Sequence, residues 1–336
     1  MSENGWRVHN GKQSLNLGGA RFGPLRMDES DRRLMLYLAQ DPRMPYRELA
    51  EKLGVSVQAV HRRIQVLMKM GVLRSFEAGV SIRHLGAIPV MIFGRSNTSS
   101  IEETMKKLSK NEMTSSVLVA GGNYLYAVGL LKGISDLEKF ADFVKKAGDM
   151  PEPTIGIYSL DAGLAPDFMD GGRRTSEKGE LTALDKRIIA ALRKDCRKAV
   201  ADVAGEVGVS SRTVTRRLDR MLEEGLVDLV VPMDPTATGD IVSTVHIHLK
   251  DGATKKDVGA RLLNKFTPRM WYIRSFTNMP NFLLGVVCTD TMNELRGILE
   301  KIAKDGDVKT LVPNIWYADY IFETWRDGLT NGNPKQ

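Results

Sequence analysis

The stretch Leu53-Gly54-Val55-Ser56-Val57-Gln58-Ala59-Val60-His61-Arg62-Arg63 returns, at an offset of 154 residues, as Val207-Gly208-Val209-Ser210-Ser211-Arg212-Thr213-Val214-Thr215-Arg216-Arg217. The offset extends outward without a gap. Asp31, Arg33, Leu38, Asp41, Arg43, Ala50 and Gly71 reappear as Asp185, Arg187, Leu192, Asp195, Arg197, Ala204 and Gly225. A constant offset over so many positions marks an internal duplication, and every feature is therefore read in pairs.

Each copy reads as a helix-turn-helix. In the first, Leu34, Leu38, Leu49, Leu53, Val60, Ile64 and Leu67 fall near helical spacing and close a small three-helix core. Gly54 supplies the left-handed corner and Ser56 a good N-cap for the next helix, over 56–70. With Val60, Ile64 and Leu67 turned inward, Ser56, Gln58, Ala59, His61, Arg62 and Arg63 sit at the outward N-terminal part of that helix. The second copy turns Leu218, Met221 and Leu222 inward and leaves Ser210, Ser211, Arg212, Thr213, Thr215, Arg216, Arg217 and Arg220. A helix that begins this way places its first turns where a major groove is read, and Arg, Gln, Ser and Thr reach base edges or phosphates. These fourteen residues are the predicted contacts to double-stranded DNA. A solvated face on an ordinary helical core is the alternative for either copy alone, and the repetition weighs against it. Gly71-Val72-Leu73 and Gly225-Leu226-Val227 then lead into short apolar runs suited to a wing or a connecting strand.

The segment after each helix-turn-helix is duplicated too. Strand-like runs at 88–93, 117–120, 124–131 and 154–160, with helical runs at 101–108 and 137–146, match 241–249, 271–276, 282–289 and 314–321 with 256–266 and 295–303. Both sets have the order βαββαβ, the split βαβ or ferredoxin-like arrangement of a four-stranded antiparallel sheet with two helices on one face. The fold class is therefore α+β, two winged helix-turn-helix domains alternating with two ferredoxin-like domains. The predicted layout is a tail at 1–27, helix-turn-helix units at 28–75 and 181–229, ferredoxin-like units at 76–160 and 230–325, a Gly- and Arg-containing linker at 161–180, and a polar tail at 326–336. The open sheet face needs covering, so homo-oligomerisation through the ferredoxin-like domains is expected, although the linker would equally let the two ferredoxin-like units of one chain pair with each other.

Asp28, Asp31, Asp41-Pro42-Arg43, Leu49-Ala50, Leu53-Gly54-Val55-Ser56, Arg63, Gly71-Val72-Leu73 and Leu85-Gly86, leading into a ferredoxin-like domain, give the chain a pattern that resembles the Lrp/AsnC, or feast/famine, transcription regulators. The resemblance covers nearly the whole chain twice, so the chain resembles two such regulators joined covalently. It implies that the ferredoxin-like domains sense a small molecule, often an amino acid, near the loop between their second and third strands. Here those loops hold Gly121, Gly122, Asn123 and Tyr124, and Thr277, Asn278 and Asn281. The family pattern favours a Gly then an Asp there, whereas this chain has Asn123 in one copy and Pro280-Asn281 in the other. Gly121-Gly122 also reads simply as a tight hairpin turn.

Composition fits an intracellular regulator. A formal net charge of +7 favours a polyanionic partner without identifying it. Cys196 and Cys288 are the only cysteines, too few for a disulfide framework, and no secretory signal or apolar run approaching about 18 residues is expected, which points to the cytoplasm and away from membranes. His246 and His248 alternate on one strand, but no third ligand of metal-site spacing accompanies them. No nucleotide-binding, nucleophile-elbow or zinc-protease motif occurs, so neither catalytic residues nor a cofactor are expected. Trp271, Tyr272, Phe276 and Phe282, with Trp316, Tyr317 and Tyr320, read as the core and dimer face of the second sensor. The alternative is enzymatic: the siroheme decarboxylases resemble Lrp/AsnC proteins and work as two similar subunits, and their activity is implied to depend on His and Arg side chains, here His84, His246 and His248 with Arg269 and Arg274.

Overall fold

A computed structural model describes residues 7–8, 26–159 and 179–330 of the 336-residue chain. Arg7–Val8 (β1) is a short strand laid against the last long strand of the chain, so part of the expected tail takes a sheet position. The first helix-turn-helix comprises Glu29–Gln40 (α1), Tyr46–Leu53 (α2) and Val57–Lys69 (α3). Asp28 and Asp31 form a capping box that starts α1. Gly54, at φ +65°, closes α2 in the left-handed region, and the Ser56 hydroxyl accepts the Ala59 N–H at 3.2 Å to start α3. Leu34, Leu38, Leu49, Val60, Ile64 and Leu67 are fully buried between the three helices, whereas Leu53 sits half-buried at the rim. After Glu77–Val80 (β2), the first ferredoxin-like unit runs Ile88–Arg95 (β3), Ile101–Leu108 (α4), Thr114–Ala120 (β4), Tyr124–Leu131 (β5), Leu137–Ala147 (α5) and Thr154–Ile157 (β6).

The second half repeats this plan. Ala183–Leu192 (α6), Val200–Val207 (α7) and Ser211–Glu223 (α8) form its helix-turn-helix, with Thr182 and Asp185 as capping box, Gly208 at φ +69° and Ser210 as cap. Leu218 and Met221 are buried as expected, but Leu222 is only partly so. Val227–Val230 (β7) leads to Ile241–Leu249 (β8), Lys255–Phe266 (α9), Met270–Phe276 (β9), Met279–Thr289 (β10), Met292–Ala303 (α10), Val308–Ile321 (β11) and a short helix, Trp325–Gly328 (α11). Residues 160–178, which hold most of the linker expected at 161–180, and residues 331–336 lie outside the described residues. The expected polar tail at 326–336 needs correction in its first part. Arg326 bonds the Val80 carbonyl at 2.6 Å and Asp228 at 2.9 Å, and Trp325 donates its indole N–H to the Leu130 carbonyl at 2.8 Å.

The two halves are folded onto each other. β2 pairs antiparallel with β7, from Glu77 opposite Val230 to Val80 opposite Val227, so the strand after each recognition helix joins its counterpart rather than closing a local hairpin. Arg197 donates to the carbonyls of Pro42 at 2.7 Å and Met44 at 2.9 Å, while Arg43 donates to the carbonyl of Cys196. Arg43 and Arg197, and Pro42 and Cys196, are repeat partners, so these bonds are the two arms of a pseudo-twofold axis through the helix-turn-helix pair. The Arg197 guanidinium also lies 4.6 Å from the ring centre of Tyr46.

The sheets obey the same axis. Strand order is β6-β3-β5-β4-β11-β8-β10-β9, which is the ferredoxin-like order twice. Alternation along β3 sends Val90 and Ile92 into the helix-covered core with Met105 and Phe140, and Met91 and Phe93 toward the other sheet. There Phe93 meets Phe282 at 6.0 Å and Phe276 at 6.2 Å between ring centres. β11 is 14 residues long and crosses between the halves, pairing with β8 up to Ile315 and with β4 from Trp316. The opposite edge is closed by a bridge between Tyr158 and Phe276, where an added Cβ on Gly156 would meet the Phe276 ring at 2.4 Å. The apolar sheet face expected to recruit a second chain is covered by the other half of the same chain. Of the two pairings that the linker allows, within one chain or with a second chain, the sheet faces take the first. A repeat joined in one polypeptide supplies its own partner at high effective concentration.

Candidate nucleic-acid interface

On α3, Gln58, His61, Arg62 and Gln65 are exposed and Ala59 is partly so; on α8 the exposed residues are Ser211, Arg212, Thr215 and Arg216, with Thr213 half-buried. Ser56 and Ser210 spend their hydroxyls on capping, Ser210 also meeting the Thr213 hydroxyl at 2.9 Å. His61 packs edge-on against Tyr46 with ring centres 5.6 Å apart, which orients its imidazole. Arg62, Arg212 and Arg216 have no ion-pair partner among the described residues and are the cations left to meet a phosphate.

Three predicted contacts are placed otherwise. Arg63 binds Asp31 at 2.6 Å and Asp28 at 2.8 Å. Arg217 binds Asp185 and the Thr182 hydroxyl, both at 3.0 Å, and Arg220 binds the second Asp185 oxygen at 2.7 Å. Each recognition helix is thus clasped to the capping box of the first helix in its unit. Burial would raise the Asp185 carboxyl, but its bonds to Thr182 and the Arg217 and Arg220 charges outweigh burial and hold it below the usual range. The signal for the clasp was present in the sequence, since Asp31 and Arg63 recur together as Asp185 and Arg217. Repetition alone does not separate a clasp from a DNA contact.

Of the two loops proposed for an effector, the second is held by the opposite half through Thr277 and Asn278. Asn278 accepts the Ile157 N–H at 2.9 Å and donates to the Ile155 carbonyl at 2.8 Å, and the Thr277 N–H bonds the Ile157 carbonyl. Asn281 donates to Asp251 at 2.8 Å. In the first half Gly121 and Gly122 are exposed in the turn; Asn123, at φ 54°, donates to the Thr98 carbonyl and meets the Tyr317 hydroxyl at 3.5 Å; Tyr124 packs on Tyr126. The first loop thus lies beside β11 and the second beside β6.

Of the histidine pair, His246 is buried between the sheets, 2.8 Å from the Tyr126 hydroxyl, and burial pulls its pKa down to about 4. His248 is exposed beside Phe282. Among the described residues no group of three or more His, Cys, Asp or Glu could hold a metal ion, and no helix is long and apolar enough to cross a membrane.

Two features were not read from sequence. Arg32, on α1, is fully buried, binding Asp240 at 2.9 Å and Asp290, with its guanidinium 3.2 Å from the Cys288 sulfur. It ties the first helix-turn-helix to the second sheet unit. The other is a cavity of about 370 Å³ between the two sheets and the β2–β7 ribbon, lined in part by Trp271, Tyr272 and Trp316. Three of the seven aromatic residues taken for core and dimer face therefore wall a space. Beside it, Asp319 sits 3.4 Å from Arg74, and burial pushes its carboxyl up to about 6 against the pull of Arg74. A folded-state pKa above the ordinary one gives stability at low pH that is lost as pH rises through the folded value. Stability is therefore expected to decline from the usual carboxylate range to about pH 6, and Asp319→Asn to flatten that decline in urea unfolding measured across it. An unchanged slope would place the titration elsewhere.

Residues 27–74 match the winged helix-turn-helix DNA-binding model and 181–222 the AsnC-type helix-turn-helix domain. An uncharacterized HTH-type transcriptional regulator of Pyrococcus horikoshii is 31% identical over 125 residues, covering 36% of this chain and 84% of that protein. The HTH-type transcriptional regulator LrpA of the same organism is 28% identical over 100 residues, covering 30% of this chain and 71% of that protein. Each of these matches spans about a third of this chain. The siroheme decarboxylase NirDL shares the fold across both halves, with TM-score 0.58 and 13% identity over 89% of this chain and 96% of that one. The two helix-turn-helix units, each leading into a ferredoxin-like unit, place the chain in the Lrp/AsnC family, as a tandem member. It is a DNA-binding transcription regulator.

Proposed function

We propose that one chain does the work of a regulator dimer with unlike halves, reading an asymmetric operator in the cytoplasm under the influence of a small-molecule effector and without catalysing a reaction. The carrying observation is the joined helix-turn-helix pair: α3 and α8 are related by the Arg43 and Arg197 staples and the β2–β7 ribbon, yet expose Gln58, His61 and Arg62 on one side and Arg212, Thr215 and Arg216 on the other. Side chains of different hydrogen-bonding capacity at equivalent positions favour different bases. Selection from a random duplex pool is expected to return two unlike half-sites about one helical turn apart or a multiple of it. A palindrome, or no enrichment, would contradict this reading.

The non-catalytic reading is supported by the state of the histidines. His246 is committed to Tyr126 in the sheet interface and does not line the cavity, and His248 is exposed on the strand's far end. Mixing the protein with an iron tetrapyrrole and recording the absorption spectrum is expected to leave the free-pigment bands unshifted. A saturable shift at stoichiometric ratio would favour the enzymatic alternative. Because the sheet faces are satisfied within the chain, any homo-oligomer would use another surface, and sedimentation at micromolar concentration measures whether one forms.

A further inference from the structure

The cavity between the sheets combines flat apolar walls with a cation that lacks an acid. Trp271, Tyr272, Tyr158 and Trp316 contribute rings, and the Arg274 guanidinium lies 4.7 Å from the ring centre of Tyr272 and 5.6 Å from that of Tyr158. The other arginine of this wall, Arg326, is neutralised by Asp228, and Arg74, which pairs with the lining residue Asp319, is also held by Asp234. Arg274 has no ion-pair partner among the described residues. The Arg274 guanidinium is half-buried and flanked by rings, so it is only partly hydrated, and ring quadrupoles only partly compensate it. A second donor is also unmatched, because Trp271 is 3% exposed and its indole N–H has no acceptor among the described residues.

We infer that this cavity is a binding site for a planar aromatic monocarboxylate, whose carboxylate pairs with Arg274 and whose ring lies among Trp271, Tyr272 and Trp316. The volume of about 370 Å³ is near the small end of ligand pockets and suits one or two fused rings. Glu77, Asp319 and Asp327 also line the cavity and repel negative charge beyond the one group that Arg274 pairs, so monoanions are preferred to dianions. Glu77 and Val230, from the ribbon that joins the helix-turn-helix units, also line the cavity, so a ligand there touches both the sheet sandwich and the DNA-binding pair. Only this last consequence rests on the regulator reading.

The test uses the full chain and 2-naphthoate, with 2-naphthamide as the uncharged counterpart, and reads quenching of tryptophan fluorescence. Saturable quenching by the acid is expected, weaker by about tenfold or more for the amide and for the acid with Arg274→Gln, the loss that one charge-assisted hydrogen bond brings. Arg274→Lys recovers part of the affinity, and Leu118→Trp, which fills the cavity and leaves Arg274 in place, abolishes it. Thermal unfolding of each variant without ligand separates a lost site from a lost fold. No saturable quenching of the wild type, or equal affinity for acid and amide, overturns the site. A ligand that binds as expected to a protein that selects no DNA leaves the site standing and removes the regulator reading instead.

Discussion

Replacing Arg32 by Ala is expected to lower stability by about 3–5 kcal/mol, the cost of leaving a buried acid without its partner. The side chains of Arg32 and Asp240 are both fully buried, so the remaining Asp240 carboxylate would be neither hydrated nor paired. Burial would raise Asp290, but Arg32 and Arg269 outweigh it and hold its carboxyl below the usual range. A depressed folded pKa contributes stability above the unfolded value that is lost as pH falls through the folded one. The variant should therefore also show a shallower loss of stability in acid. The repeat partner of Arg32 is Lys186, which is exposed, and Lys186→Ala should change stability by no more than about 0.5 kcal/mol. Urea unfolding of the two variants decides the matter. An Arg32→Ala protein within about 1 kcal/mol of wild type would mean that the buried cluster relaxes into water.

The second large effect concerns DNA. Arg62→Ala combined with Arg216→Ala is expected to weaken binding and to reduce the slope of log affinity against log salt by about one unit for each phosphate no longer neutralised, about two in all. These residues are exposed and unpaired among the described residues, so stability should be unaffected. Arg63→Ala with Arg217→Ala should behave in the opposite way. Those guanidinium groups fasten α3 and α8 to Asp31 and Asp185, and their removal should lower the unfolding midpoint, with the salt slope of the remaining folded protein little changed. If the Arg63 and Arg217 pair alone moved the slope, the clasp would have to open on DNA.

The repeat made most of the fold legible, because Gly54 with Ser56 and Gly208 with Ser210 punctuate helices at matching positions and the βαββαβ order recurs. The features that stayed hidden depend on pairing at long range. Arg43 and Arg197 look like ordinary members of a motif until the halves are folded together and each finds the other's backbone carbonyl. The same holds for Asn278, whose amide resembles a ligand-loop group and instead completes the edge of β6. Arg32 was unreadable for a different reason: its partner acids stand 208 and 258 residues away and its repeat position is Lys186, so the duplication hides the asymmetry. Among the recognition-helix residues, identity told which side chains could reach bases but not which were already engaged.

Two unlike recognition helices acting as one unit within a single chain is the central claim. The most direct measurement compares the affinity of the protein, at one fixed salt concentration, for its selected operator and for the two symmetrised operators built by duplicating either half-site. The asymmetric site is expected to bind tightest, with each symmetrised site weaker by about 1–3 kcal/mol for every mismatched base pair it introduces. Equal affinity for all three would contradict divided recognition by α3 and α8.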